Sequence, residues 1–182
     1  EKYPEIDSVE CQRNTIASDN ERIITHISNL RPVKRAADVM DIFYKIQKEI
    51  PSKLLLVGEG PDREHIEFQA KELGILDKVL FLGNSNEVNK LLCYSDLFLL
   101  PSQTESFGLA ALEAMAARTP VISTNSGGLP EVNVQGVTGF LSDVGNTDEM
   151  AKNGIYILED LDRLQQFKQN ALAQAKRFSM QN

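Results

Sequence analysis

Leu97-Phe98-Leu99-Leu100-Pro101-Ser102-Gln103-Thr104-Glu105-Ser106-Phe107-Gly108-Leu109-Ala110-Ala111-Leu112-Glu113 is the stretch that decides the fold. It opens on a continuous apolar run closed by proline, the pattern of a parallel strand covered on both faces. A short polar loop follows, and then a helix expected over Phe107 to Ala117. Ser106 is its expected N-cap, leaving the N–H groups of Phe107, Gly108 and Leu109 as an anion site backed by the helix dipole. Glu113 is the only charged residue of that helix. A carboxylate set among Ala, Leu and Met is costly to bury alone, so a partner for its charge or its hydrogen bonds is expected. It is expected about two turns in, roughly 10 Å along the axis. That distance suits a ligand with phosphate at one end and a hydroxyl-rich ring at the other.

The same unit of short apolar strand followed by helix recurs on both sides. Strands are expected at 23–28, 53–57, 79–82, 97–100 and 120–123, with a short sixth at Phe140-Leu141. Helices are expected at 36–49, at 61–73 with Pro61 opening and Gly74 closing it, and at 87–94, 148–159 and 161–178. Alternation of this kind implies an α/β fold, a Rossmann-like doubly wound parallel sheet with ligands at the carboxyl ends of the strands. Residues 22–178 form the expected domain, and Glu1 to Glu21, polar and without period, an expected linker or domain-edge segment.

Composition narrows the partners. The 182 residues carry 19 Lys and Arg against 26 Asp and Glu, a net charge of -7 that opposes general binding to nucleic acid or anionic membrane. No apolar run reaches the ~18 residues of a membrane helix, so no integral membrane segment is expected. The two cysteines, Cys11 and Cys93, make no disulfide framework, and the chain is expected to be reduced and cytoplasmic. The absence of an initiating Met and the abrupt ending at Asn182 suggest a piece of a longer protein.

The chemistry lies in the loops after the strands. Arg31, Lys34 and Arg35 crowd the first strand's exit, where solvated surface charge and phosphate binding both account for them. Gly58-Glu59-Gly60-Pro61 lacks the full dinucleotide fingerprint and fits a plain strand-to-helix turn. Gly83-Asn84 is a turn or a place where backbone meets a base edge. Gly127-Gly128 is loop punctuation or ligand contact, and Glu131 is equally a first-turn carboxylate. His26, inside a strand, suits a satisfied core residue better than a catalyst, and His65 falls in a charged helix facing water. With two separated histidines and no cysteine cluster, no zinc or other metal site is expected. Glu105 and Glu113 resemble the paired carboxylates of glycoside hydrolysis, but a helix start and two turns intervene, which favours a division of binding labour.

Glu105 and Glu113, with seven residues between them including Ser-Phe-Gly, are preceded by Gly58-Glu59-Gly60-Pro61 and followed by Gly127-Gly128-Leu129-Pro130-Glu131. This combination resembles the nucleotide-sugar domain of the retaining GT-B glycosyltransferases of family four, over roughly Ile23 to Asp160. His26-Ile27-Ser28-Asn29-Leu30-Arg31-Pro32-Val33-Lys34-Arg35 looks like the members that transfer N-acetylglucosamine to L-malate in bacillithiol biosynthesis.

The resemblance implies the C-terminal half of a GT-B fold, with UDP-N-acetylglucosamine or UDP as ligand and no cofactor. It places Lys34 on the diphosphate and Glu105 on donor-sugar hydroxyls, the pair with catalytic roles. It places Glu113 on the ribose, Ser106, Phe107, Gly108 and Leu109 on sugar and phosphate, Gly83 and Asn84 on uracil, and Gly58 beside them. Many members have Arg where this chain has Asn29, which leaves Arg31 or Arg35 to supply the second positive charge. The acceptor and a catalytic histidine sit on an N-terminal domain that this chain lacks, so the fragment alone is expected to bind UDP weakly and transfer nothing. A lipid or polysaccharide acceptor, and a non-catalytic nucleotide-binding module, are the alternatives.

Overall fold

The computed structural model describes residues 13–181. Its strands are β1 (Arg22–Ile27), β2 (Ser52–Val57), β3 (Val79–Gly83), β4 (Leu97–Leu100), β5 (Val121–Thr124) and β6 (Gly139–Ser142). They form one six-stranded sheet in the order β3-β2-β1-β4-β5-β6. Every pairing in it is parallel.

The helices are α1 (Ala36–Gln47), α2 (Arg63–Glu72), α3 (Val88–Tyr94), α4 (Leu109–Ala116), α5 (Leu129–Val132), α6 (Thr147–Leu158) and α7 (Leu161–Met180). They divide between the two faces of the sheet. Leu97 and Leu99 of β4 pack with Val39, Phe43 and Met150 of α1 and α6. Phe98 and Leu100 of the same strand pack instead with Ala111, Met115 and Ala171 of α4 and α7. Successive side chains of a strand point to opposite faces, so a strand covered on both must be apolar throughout. That is why β4 reads as an unbroken run and not as an alternation.

Expected and observed elements agree to within one or two residues at most ends. The second helix is an exception at its start: Pro61 lies outside α2, which begins at Arg63 after an Asp62 cap. The short α5 is absent from the expected helices, because its four residues Leu-Pro-Glu-Val are too few to show a helical period. Of the expected linker, residues 1–12 lie outside the described residues, and Arg13–Thr15 form a single 3-10 turn. Cys11 is among the undescribed residues, but Cys93 is disulfide-bonded, which corrects the expectation of a reduced thiol. No helix among the described residues is long and apolar enough to cross a membrane.

Candidate functional site

Strands β1 and β4 are neighbours, yet β1 leads into α1 on one face and β4 into α4 on the other. The loops leaving them must part, and the crevice between is where open α/β sheets hold ligands. Pairing of the two strands runs through Ile24↔Leu97 and Thr25↔Phe98. Beyond it His26 bridges the widening gap. Its Nδ1 lies 2.8 Å from the Leu99 carbonyl and its Nε2 2.9 Å from the Ser28 hydroxyl. A carbonyl only accepts, so Nδ1 carries the proton and Nε2 accepts from Ser28. Ser28 Oγ in turn accepts from the Leu30 N–H at 3.2 Å. Burial pushes the His26 pKa down to about 4, so the ring is neutral and structural, as the sequence suggests.

Above His26 lies a cleft of about 330 Å³ lined by Ile27, Lys34, Leu100, Glu105, Gly108 and their neighbours. Lys34 ends the 3-10 turn Pro32–Lys34. Its Nζ meets Glu105 Oε1 at 2.7 Å, and the Ser102 hydroxyl donates to the same oxygen at 2.9 Å. The two loops are stitched by the Gln103 N–H donating to Val33 O at 2.8 Å. A third loop closes behind them. Gly128 N–H donates to the Glu105 carbonyl at 3.0 Å. A Cβ on Gly127, where φ is +57°, would stand 1.7 Å from that same carbonyl oxygen. Gly127 is therefore required by close approach as well as by conformation.

Helix α4 begins at Leu109, with Gly108 as its N-cap at φ 67°. The expected Ser106 cap is corrected: Ser106 and Phe107 belong to the loop, and glycine reaches the left-handed region that the chain uses to enter the helix. The first N–H groups of the helix, those of Leu109, Ala110 and Ala111, have no carbonyl in a preceding turn. Leu109 and Ala110 line the cleft, so the positive end of the helix dipole opens into it. Phe107 is 75% and Leu109 61% exposed at its rim.

Glu113 stands one turn beyond Leu109 on the same face, about 7.5 Å from the cap at 1.5 Å per residue and not the 10 Å expected. It is exposed, and its side chain has no ion pair or hydrogen bond among the described residues, correcting the expected buried acid with a partner. Burial of part of its surroundings still pushes its pKa above the ordinary glutamate value. The helix keeps its apolar face by turning Ala111, Leu112, Ala114 and Met115 inward, so the lone acid faces out.

The remaining expected residues fall into two groups. Arg35, at φ 52°, donates from Nε to Asp38 at 2.7 Å, and its guanidinium lies near Gly145 in the β6–α6 loop. Arg31 is exposed and makes no ion pair among the described residues. Asn29 and Asn84 are also exposed, and Gly83 is partly so. Gly58 and Gly60 pack on the β1 loop, where a Cβ on either would meet the carbonyl of Ser28 or Asn29 at 1.7 Å. The Gly58 N–H is taken by the Gly83 carbonyl at 2.8 Å. His65 is exposed, and Glu131 sits in the first turn of α5.

Sequence reasoning missed Ser102 and assigned Gly127 no definite role. The first stands three residues before Glu105, a spacing at which a serine hydroxyl reaches a following side chain; nothing local marks the second, whose contact is with a distant loop.

Residues 9–174 match the family described as glycosyl transferases group 1. The chain is 48% identical over 158 residues to the N-acetyl-alpha-D-glucosaminyl L-malate synthase of Bacillus anthracis, covering 87% of this chain and 42% of that protein. It is 33% identical over 152 residues to the D-inositol 3-phosphate glycosyltransferase of Mycolicibacterium smegmatis, covering 79% of this chain and 33% of that one. Among solved structures, Anabaena Alr3699/HepE in complex with UDP and glucose superposes with a TM-score of 0.81 at 28% identity, over 87% of this chain and 44% of that one. The chain thus spans less than half the length of these relatives. The parallel sheet, the parted loops at its switch point and the match along nearly the whole chain place it in one family: this chain belongs to the glycosyl transferases of group 1.

Proposed function

We propose that this chain is the donor-binding half of a retaining glycosyltransferase that moves N-acetylglucosamine from UDP-N-acetylglucosamine to the hydroxyl of L-malate in bacillithiol biosynthesis. The observation that carries the reading is the Lys34–Glu105 pair, 2.7 Å apart, set in the cleft beside the open end of α4. The malate synthase of B. anthracis, at 48% identity, supports the choice of sugar and acceptor.

In this reading the diphosphate lies against Lys34 and the N-terminus of α4, with Arg31 as the second cation because Arg35 is engaged by Asp38. These charges stabilise the departing UDP without a metal. Glu105 accepts hydrogen bonds from donor-sugar hydroxyls and Glu113 from the ribose. Phe107, Gly108 and Leu109 supply main-chain contacts to sugar and phosphate, with Ser106 beside them. Gly83 and Asn84 meet the uracil. Gly58 acts through packing and Asn29 as a neighbour of the phosphate loop. The malate-binding groups come from an N-terminal domain of the full-length protein.

The test is turnover. Full-length protein given UDP-N-acetylglucosamine and L-malate releases UDP and yields an α-linked product, whereas this chain alone yields none. Absence of UDP release from the full-length protein would leave only a nucleotide-binding module, and turnover by the chain alone would overturn the division of labour. The relative named for D-inositol 3-phosphate favours one second reading, the same donor half serving another acceptor. UDP release with another acceptor and none with L-malate would select it.

A further inference from the structure

Glu105 is held unevenly. Its Oε1 takes both the Lys34 ammonium at 2.7 Å and the Ser102 hydroxyl at 2.9 Å. Its Oε2 has no hydrogen bond among the described residues, and it is not one of the buried polar atoms left without a partner. A largely buried carboxylate with one oxygen doubly occupied presents the other to the cleft that it lines.

We propose that Ser102 is a positioning residue, whose hydroxyl turns the Glu105 carboxylate so that Oε2 faces the sugar of a nucleotide-sugar donor. The inference rests on the donor-site reading above. Lys34 by itself is an insufficient guide. The last torsion of a glutamate is broad and roughly two-fold, and an ammonium on a flexible stem attracts either oxygen without fixing the plane. A second donor at a set angle removes that freedom.

Ser102 has that angle because its own backbone is fixed. It is fully buried. Its carbonyl accepts from the Thr124 hydroxyl of β5 at 2.7 Å. This anchor runs through the main chain, so replacing the side chain leaves it in place. The Glu105 backbone is held separately by Gly128. The serine hydroxyl is thus one of two groups that set the carboxylate's orientation.

The experiment compares two ligands that differ only in the sugar, measured by calorimetry on the full-length protein. Ser102→Ala is expected to weaken UDP-N-acetylglucosamine about tenfold while UDP stays within about twofold, the size expected for losing one donor to a charged group. Ser102→Cys, close in volume and a weak donor, behaves the same way and keeps the test valid if the alanine variant does not fold. Ser102→Thr retains the hydroxyl and restores sugar discrimination. A merely structural role would lower both affinities together. An unchanged ratio of the two affinities in Ser102→Ala, whether both hold or both fall, overturns this inference alone. Failure of the unsubstituted protein to bind UDP overturns the donor-site reading and this inference with it.

Discussion

Two carboxylates, Asp96 at the amino end of β4 and Glu105 beyond its carboxyl end, meet positive charge in opposite ways. Asp96 is saturated. Its Oδ2 accepts from the Ile23 N–H at 2.9 Å and pairs with Arg13 at 3.3 Å, and its Oδ1 takes Lys168 at 2.9 Å. Burial alone would raise its pKa, but Lys168, the Ile23 amide and Arg13 outweigh it and hold the group below the ordinary value. Glu105 has one oxygen doubly bonded and the other open to the cleft. A carboxylate with both oxygens engaged ties elements together; one with an oxygen left open is free to receive a ligand.

The largest expected effect breaks the closed end. Asp96→Ala strands Lys168 and the Ile23 amide and should cost about 3 to 5 kcal/mol in urea unfolding. If it costs under about 1 kcal/mol, the contrast between the two ends is lost.

Acid should dismantle the molecule in two windows. His26 is neutral when folded, so the unfolded chain binds its proton first. Its contribution is present above pH 6.5 and lost as pH falls toward 4, about 3 kcal/mol in all. The Asp96 contribution, with its pKa lowered, is present above 3.8 and lost only below it. Unfolding free energies across this range should show the upper window vanish in His26→Gln and the lower in Asp96→Ala.

At the open end, Lys34→Ala and Glu113→Ala should each weaken UDP by about 1.5 to 3 kcal/mol, while urea stability changes by about 1 kcal/mol or less. Calorimetry finding UDP affinity intact in both would remove the cleft from the site. The smallest effect concerns Glu113 and protons. Its raised pKa, caused by desolvation, means that acidification neutralises it sooner than an ordinary glutamate and weakens it as an acceptor for hydroxyls. UDP-N-acetylglucosamine, whose diphosphate is esterified at both ends and does not titrate here, should therefore bind less well at pH 5 than at pH 7, by a smaller factor than Glu113→Ala costs. Glu113→Gln should flatten that slope.

Much of the fold is legible because the central strands β1, β2, β4 and β5 are buried along most of their length, and β2 and β4 are spelled in runs of consecutive apolar residues. Leu97 to Leu100, four apolar residues closed by Pro101, is the clearest of these runs. The candidate site is legible where charge is local and conspicuous: Lys34 after β1 and Glu105 after β4, which meet in the cleft. It fades where a role depends on what lies across a gap. Nothing near Gly127 announces the Glu105 carbonyl against it, and nothing in Gly58 and Gly60 reveals the Ser28 and Asn29 carbonyls that exclude a side chain. Glu113 shows the opposite error. Apolar neighbours in sequence suggest burial, but a helix turns them to one side and the acid to the other.

The reach of the contacts around Glu105 has a consequence for folding. Lys34 and Glu105 are 71 residues apart, and Ser102 and Thr124 another 22. Three separately formed loops must converge before the cleft exists, so a chain with one strand still adrift offers a sugar nucleotide nothing to hold. Occupancy therefore rewards only the finished sheet, by about 2.7 kcal/mol at a hundred times Kd. On the proposed donor-site reading, the bound nucleotide doubles as an inspector of assembly.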